Sequence, residues 1–397
     1  MILYIRKTVG KEVTIMLYES PGLDAQELEV IVQIDDLRDK MRLRLYEPRR
    51  WTGSLRRVQF ARAVQGSNSI EGFNALLDDA LAIEMGEEPL DASEETTLAI
   101  AGYRDAMTYV LQLADEPKFH FGEQLIKSLH FMMTKYSLRH RPGLWRVGTI
   151  YVRNDETGQI VYEGADVDTV GDLMHELVVQ LEADNDTPVM VRAAMAHLNL
   201  VLVHPFRDGN GRMARCAQTL ILAREGILTP VFCSIEEYLG RNTQAYYDIL
   251  GKVGGGHWDP TQDARPWIRF TLTAHLRQAR TSLRRIKESE LLWSELEELT
   301  QQRSLPERTI VALYDAAVGL RVRRAVYRAV FEDSSDEITE QVATRDLVGL
   351  AEMGLLNAHG ARRGRFYTAG LEISQISAEI VNNRDQRDDS DPFFPAE

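Results

Sequence analysis

Apolar residues recur at helical spacing over most of the chain, and the departures from that spacing are few and local. Residues 1–35 alternate apolar and polar side chains weakly around Pro21 and Gly22, which predicts a short strand and a loop. Helical spacing dominates 37–83, with breaks expected at Pro48 and Gly66 and with Ser67 placed to cap a new helix after that glycine. Amphipathic helices are expected over 94–113 and 122–137. At 143–162 the trend fails: two β-rich runs, 149–153 and 159–162, flank a polar stretch at 154–158 that ends in Gly158. That is a hairpin pattern. Helix returns at 169–183.

Asp186-Thr187-Pro188 then sets a proline at a first helical position. The helix it opens, 189–203, is apolar nearly all round and is therefore expected at the centre of a helical domain. It runs directly into His204-Pro205-Phe206-Arg207-Asp208-Gly209-Asn210-Gly211-Arg212, after which a second helix covers about 211–224 and stops at Gly226. Further helices are expected over 235–252 and 264–300, the latter long and heavily charged. Helical runs at 307–317, 321–331 and 338–354 precede two short strands within 355–367, around 360–364. Helix, helix, helix, hairpin is the order of a winged helix-turn-helix. The tail 382–397 is polar and acidic, with two prolines, and is expected to be disordered. No internal repeat is visible.

Composition narrows the classes. A chain of 397 residues exceeds one ordinary core and suggests two or three domains. With 44% hydrophobic and 27% charged residues, the bulk is expected to fold as a soluble globule. Lys and Arg number 46 against 60 Asp and Glu, a formal charge of −14. That argues against a surface devoted to nucleic acid or anionic membrane, and leaves room for a local basic patch. Two cysteines, Cys216 and Cys233, exclude a disulfide scaffold and a cysteine-based structural zinc site, and fit a reducing compartment. The first residues lack the apolar core of a signal peptide, and no apolar run approaches the ~18 residues of a membrane span. A cytoplasmic location without membrane contact is expected.

The chemistry concentrates at 204–215. Backbone N–H groups of Gly209, Asn210 and Gly211 at a helix start form an anion nest, which the glycines permit and the helix dipole reinforces. Arg212 and Arg215 share one helix face, and two guanidinium groups beside such a nest suit a polyphosphate. A carboxylate there, Asp208, would repel that ligand unless it held a divalent ion. His204 ends the buried helix at the same loop and titrates near neutrality, as a general base should. Together these describe nucleotidyl or phosphoryl transfer to a hydroxyl. His197, on the apolar helix, reads as a core histidine, and Cys216 as a small buried residue.

The string HPFRDGNGRMAR resembles the motif HPFx(D/E)GNGRxxR of the Fic family at every defined position. Members of that family mostly transfer AMP from ATP to a Ser, Thr or Tyr hydroxyl of a target protein. The resemblance implies a mainly α fold, with a Fic-type helical core, a β-hairpin flap and a C-terminal winged helix-turn-helix. It makes His204 the base, places Asp208 on Mg²⁺ between the α- and β-phosphates, and assigns Gly209, Asn210 and Gly211 to the nest. Arg212 would meet the β-phosphate and Arg215 the γ-phosphate; Phe206 would anchor the loop, and Arg207 would belong to the same ATP-binding string. The hairpin at 149–162 resembles the flap that aligns the target segment. This chain has Tyr162-Glu163-Gly164-Ala165 where relatives carry a Pro-Pro pair, and Leu200-Val201 where many carry Phe-Glu. Asn242, Tyr246 and Tyr247 resemble the stretch lining the adenine pocket, although both tyrosines fit a core role equally.

Ser67-Asn68-Ser69-Ile70-Glu71-Gly72 resembles the family's inhibitory motif (S/T)xxxE(G/N). By that resemblance Glu71 would pair with Arg215 and misalign ATP, an intramolecular brake. The implied organisation is an N-terminal region with the inhibitory helix (1–113), a catalytic core (114–275), a linking helix (276–305), a winged helix-turn-helix (306–372) and a partly disordered tail (373–397).

The reaction expected is auto-inhibited protein adenylylation with ATP and Mg²⁺. Removal of AMP by a water that Glu71 orients, or a transcription regulator with a vestigial nucleotide site, stand as alternatives. Kinase-type relatives carry Lys where this chain has Gly211. Self-modification and a homodimer are open. DNA contact through Gln341, Thr344, Arg345, Arg362, Arg363 and Arg365 is the weaker reading of the C-terminal module, because acidic residues balance the basic ones. Protein contact, dimerisation or target presentation stands at least level with it.

Overall fold

In a computed structural model, the structure describes residues 4–8, 11–46, 50–154, 157–183, 186–224, 230–332, 336–384 and 390–394. The described residues are mainly helical, with three antiparallel two-stranded hairpins. Pro48, Asp155, Glu156, Gly226, part of the 382–397 tail and the side chain of Arg363 lie outside the described residues.

The chain opens with a hairpin of β1 (Tyr4–Thr8) and β2 (Lys11–Ile15). Helix α1 (Ala25–Leu45) then starts well before the expected 37. The reason is a capping box: the Asp24 side chain accepts from the Glu27 amide, and Glu27 returns the bond to the Asp24 amide. The same two carboxylates bind Arg265 and Arg269, which fastens α1 to α12 (Arg265–Gln302).

Helix α2 (Arg50–Ile70) corrects a second expectation, since it passes through Gly66 without a break. Gly66 is there for proximity. A Cβ on it would lie 2.6 Å from the Glu236 carbonyl oxygen, and one on Gly240 would lie 2.7 Å from the Gly66 Cα. Ser67 is accordingly inside a helix and caps nothing; its hydroxyl accepts from Arg215.

Helices α3 (Leu77–Glu84), α4 (Glu94–Ala114) and α5 (Glu123–Thr134) follow, then a hairpin of β3 (Tyr151–Arg153) and β4 (Ile160–Glu163). After α6 (Val170–Glu182) comes α7 (Val189–Val203), buried along nearly its whole length as its composition requires. Helix α8 (Asn210–Arg224) packs beside α7 and is buried on almost every side. Beyond α9 (Pro230–Cys233), the single helix expected over 235–252 is two, α10 (Glu236–Arg241) and α11 (Thr243–Gly254), parted at Asn242.

Past α12 lie α13 (Thr309–Ala317), α14 (Arg324–Ala329), α15 (Glu340–Glu352) and a hairpin of β5 (Leu356–His359) and β6 (Phe366–Ala369). An isolated bridge joins Val322 to Tyr367. These elements seat on α2 and α3 through Val58, Ala61, Leu81, Ala82, Leu320 and Val326, a small second core. A buried ion pair, Arg57 with Asp315 at 2.7 Å, adds to that seam. Residues 371–382, read as tail from 373 onward, form helix α16 (Leu371–Asn382) instead. Farther on, Phe393 is buried, with the Arg269 guanidinium 5.1 Å from its ring.

Candidate active site: the loop between α7 and α8

Helix α7 ends at His204, whose φ of +54° turns the chain out of the helix. Its imidazole is half-buried, and Nδ1 lies 3.1 Å from the Val201 carbonyl oxygen. A carbonyl only accepts, so Nδ1 carries the proton and Nε2 keeps its lone pair. Burial lowers the His204 pKa below the ordinary imidazole value, against an opposing effect of the Val201 hydrogen bond. The ring is therefore neutral at physiological pH, with a basic nitrogen available.

The loop is braced from both sides. Phe206 is fully buried and stacks on His130 at 3.7 Å, with Trp145 at 4.8 Å. His130 Nε2 donates to the Asp208 carbonyl at 2.9 Å, and Nδ1 accepts from the Gly143 amide at 2.9 Å. Burial pushes its pKa down to about 4, so it acts as a fixed neutral strut. Asn210 accepts from the Phe206 amide and donates to the Phe206 carbonyl, at 2.9 and 3.0 Å. Its side chain thus closes the turn while its backbone opens α8. Gly209 has φ +75°, and a Cβ there would meet Thr134 at 3.1 Å.

The two arginines differ. Arg212 is 0% exposed, and none of its three guanidinium nitrogens has a hydrogen-bond partner among the described residues. The Phe73 ring lies 5.0 Å away, and Tyr136, which packs edge-on against Phe73, is close enough to feel the Arg212 charge. Arg215 is 1% exposed and well engaged: Nε donates to the Ser67 hydroxyl at 2.8 Å, and Nη2 to the Ser67 carbonyl at 2.9 Å and to Glu71 Oε1 at 2.7 Å. Burial alone would lower its pKa, but the Glu71 carboxylate outweighs this and holds it above the ordinary value. Glu71 sits just past α2 and is 22% exposed. A Cβ on Gly211 would collide with its carboxylate and come within 3.0 Å of Arg215 Nη1. Only a glycine leaves Glu71 that position.

Asp208 is half-buried, with Oδ2 3.2 Å from His140 Nδ1. Among the described residues no group of three or more His, Cys, Asp or Glu side chains could hold a metal. A divalent ion at Asp208 would therefore take its remaining ligands from substrate oxygens and water, which is how Mg²⁺ is commonly held beside phosphates. Arg207 is exposed. The Asn242 amide donates to the Tyr238 carbonyl at 2.7 Å, at the junction of α10 and α11. Tyr246 is buried, with its hydroxyl 2.9 Å from His197 Nε2; His197 in turn meets Gln218, and Gln218 meets His275. Tyr247 is exposed on one side and donates to the Ile70 carbonyl at 2.8 Å, beside Glu71. The structure thus gathers His204 to Arg215 with Glu71, and places Tyr246 in the core.

Arg146 is a residue that spacing did not single out. Its buried guanidinium donates to the carbonyls of His204 and Gly148 at 2.8 Å each, to Val203 at 3.4 Å, and to Ala165. It clasps the end of α7 to both ends of the β3–β4 hairpin. Tyr162 adds a bond to the Leu202 carbonyl at 2.8 Å. Gly164, in the stretch that replaces the proline pair of the family pattern, allows close approach: a Cβ would lie 2.8 Å from Ile150 and 3.2 Å from His204. The sequence signal was present in Trp145-Arg146, a cation next to an aromatic just ahead of the hairpin, and His130 and Phe73 gave none.

Comparison with known proteins agrees with this geometry. A model of the Fic/DOC family matches residues 120–222. Protein adenylyltransferase fic-1 of Caenorhabditis briggsae is 38% identical over 104 residues, 25% of this chain and 18% of the relative. Protein adenylyltransferase Fic of Nematostella vectensis is 25% identical over 269 residues, 63% of this chain and 55% of the relative. The chain thus spans between 18% and 55% of the length of these two curated relatives. A crystal structure of a Fic family protein from Desulfovibrio desulfuricans G20 superposes with a TM-score of 0.56 at 19% identity, covering 89% of this chain and 99% of that one. Fic-1 from C. elegans superposes with a TM-score of 0.54 at 23% identity, over 67% and 74%. Both are likenesses of fold. The stretch that matches the Fic/DOC model runs from just before α5 into α8, and the loop between α7 and α8 lies in its last quarter.

Proposed function

We propose that the chain transfers AMP from ATP to a Ser, Thr or Tyr hydroxyl of a target protein, and that Glu71 restrains the reaction through Arg215. The observation that carries this is Arg212. A fully buried guanidinium without hydrogen-bond partners among the described residues is destabilising by itself. Beside a glycine turn and a helix start, its natural complement is a phosphate. The adenylyltransferase names of the partial relatives agree with this.

In this mechanism the nest amides of Gly209, Asn210 and Gly211 and the Arg212 guanidinium orient the triphosphate. His204 Nε2 takes the proton of the target hydroxyl as its oxygen bonds to the α-phosphorus. The bond from that phosphorus to the α,β-bridging oxygen breaks, and pyrophosphate leaves. Asp208 would hold Mg²⁺, which would supply charge neutralisation to the phosphates. Arg215 is the γ-phosphate partner once Glu71 has left it. Tyr247 and Asn242, on the α10–α11 side, are assigned to the adenine end, and the β3–β4 hairpin to the target segment. Residues 306–372 are read as a winged helix-turn-helix that contacts protein. Asp346 of α15 is buried against Arg308 at 2.7 Å and does not face outward.

Intact-mass analysis of the Glu71→Gly protein after incubation with ATP and Mg²⁺, and with GTP, UTP or CTP instead, tests the proposal. A gain of one AMP, absent in His204→Ala, is expected. No gain with any nucleotide, or a gain of one phosphate, contradicts it.

A further inference from the structure

A cavity of about 340 Å³ lies between α2, α12, α13 and α16, and no residue of the 204–215 loop lines it. Its volume is at the lower end of the range that small-molecule sites occupy. Its apolar lining includes Leu55 and Val58 of α2, Leu292 of α12, and Ile380 and Val381 of α16. Arg62 of α2 and Arg285 of α12 line it as well.

The charges around Arg62 do not balance. Arg285 is satisfied by Glu237, at 2.6 and 2.7 Å, and by Gln59. Arg241 also binds Glu237, at 2.7 Å. Arg62 is left 3.8 Å from that shared carboxylate, and its Nε has no hydrogen-bond partner among the described residues. Three guanidinium groups therefore face one carboxylate. Burial, and then the neighbouring Arg285, push the Arg62 pKa down to about 10. The hydroxyl groups on the wall are internally matched: Ser289 with Tyr314 at 2.8 Å, and Ser377 with the Ala317 carbonyl at 2.9 Å. Glu288, also on the wall, has Arg284 and Arg384 within 4.0 Å.

We propose that this cavity is a binding site for a small amphipathic monoanion, an aliphatic or aromatic carboxylate whose head meets Arg62 and whose apolar body lies between α2, α12 and α16. One carboxylate completes the charge of the Arg62 cluster, whereas a dianion would meet Glu288 across the cavity. The occupant would touch α2, the helix whose far end carries Ser67 and leads into Glu71. The site stands apart from the AMP-transfer reading, because binding is measured without turnover.

Isothermal titration of the full chain with octanoate, and with 1-octanol as the uncharged counterpart, tests it. Saturable one-to-one octanoate binding is expected, with 1-octanol and the Arg62→Gln variant each weaker by about ten-fold or more. Val381→Trp, which adds bulk to the apolar lining from a partly exposed position, should abolish binding. If Arg62→Gln does not fold, 1-octanol and Val381→Trp decide. Absence of saturable octanoate binding, equal binding of 1-octanol, or binding unchanged in Val381→Trp overturns the proposal.

Discussion

Glu71 Oε1 lies 2.7 Å from Arg215 Nη2, and Ser67, one helical turn back, holds the same guanidinium through its hydroxyl and its carbonyl. Breaking the carboxylate contact costs about 1–3 kcal/mol, the range of a charge-assisted bond at a partly buried site. Glu71→Gly should therefore raise auto-modification by about 5- to 100-fold. Gel quantification of labelled protein checks this, and unchanged labelling removes the brake.

Arg212 should separate stability from function. Arg212→Met removes a buried charge that has no hydrogen-bond partner among the described residues, so the unliganded protein should gain about 1–3 kcal/mol. The same change should remove ATP binding. Thermal melts with and without ATP and Mg²⁺ read both effects: a higher melting temperature with no nucleotide shift is expected. A lower melting temperature with an intact shift would contradict the assignment.

The long-range features explain how much was legible in the sequence. The loop 204–215 was readable because its chemistry is contiguous: imidazole, carboxylate, glycine turn and two arginines follow within twelve positions. Helices α4 to α8 and α12 followed from apolar spacing, and the β3–β4 and β5–β6 hairpins from its interruption. Gly66 was misread because a glycine within a helix pattern looks like a breaker, whereas its cause lies 170 positions away in the Glu236 backbone. The early start of α1 was hidden by a capping box in a stretch dominated by Pro21 and Gly22. His130 escaped because its partners are a backbone carbonyl and a backbone amide, which leave no residue pattern, and Arg146, bound to backbone carbonyls, left only the Trp145-Arg146 pair as a trace.

Arg146 should act by position. Arg146→Met would leave four carbonyl groups without their shared donor and let His204 shift against the hairpin. A stability loss of about 2–4 kcal/mol is expected. The kcat should fall about 100-fold while the KM for ATP stays within about three-fold, as for displacement of a base from its acceptor. A change in KM alone would show a nucleotide contact instead.

The pH profile follows from His204. Its pKa is lowered by burial below the ordinary imidazole value of 6.5, so the neutral, proton-accepting form persists further into acid. Transfer should be level from neutral to mildly alkaline pH and fall with a slope of one only below 6.5. Initial rates across the range, at saturating ATP, check the midpoint. A midpoint above 6.5 would mean that another group limits the rate.

ATP labelled either at the α- or at the γ-phosphorus, incubated with Glu71→Gly protein and Mg²⁺, decides the matter most directly. Label from the α-position should remain covalently on protein and disappear when His204→Ala is added to the same background. Label retained only from the γ-position, or α-label that survives without His204, would contradict the account.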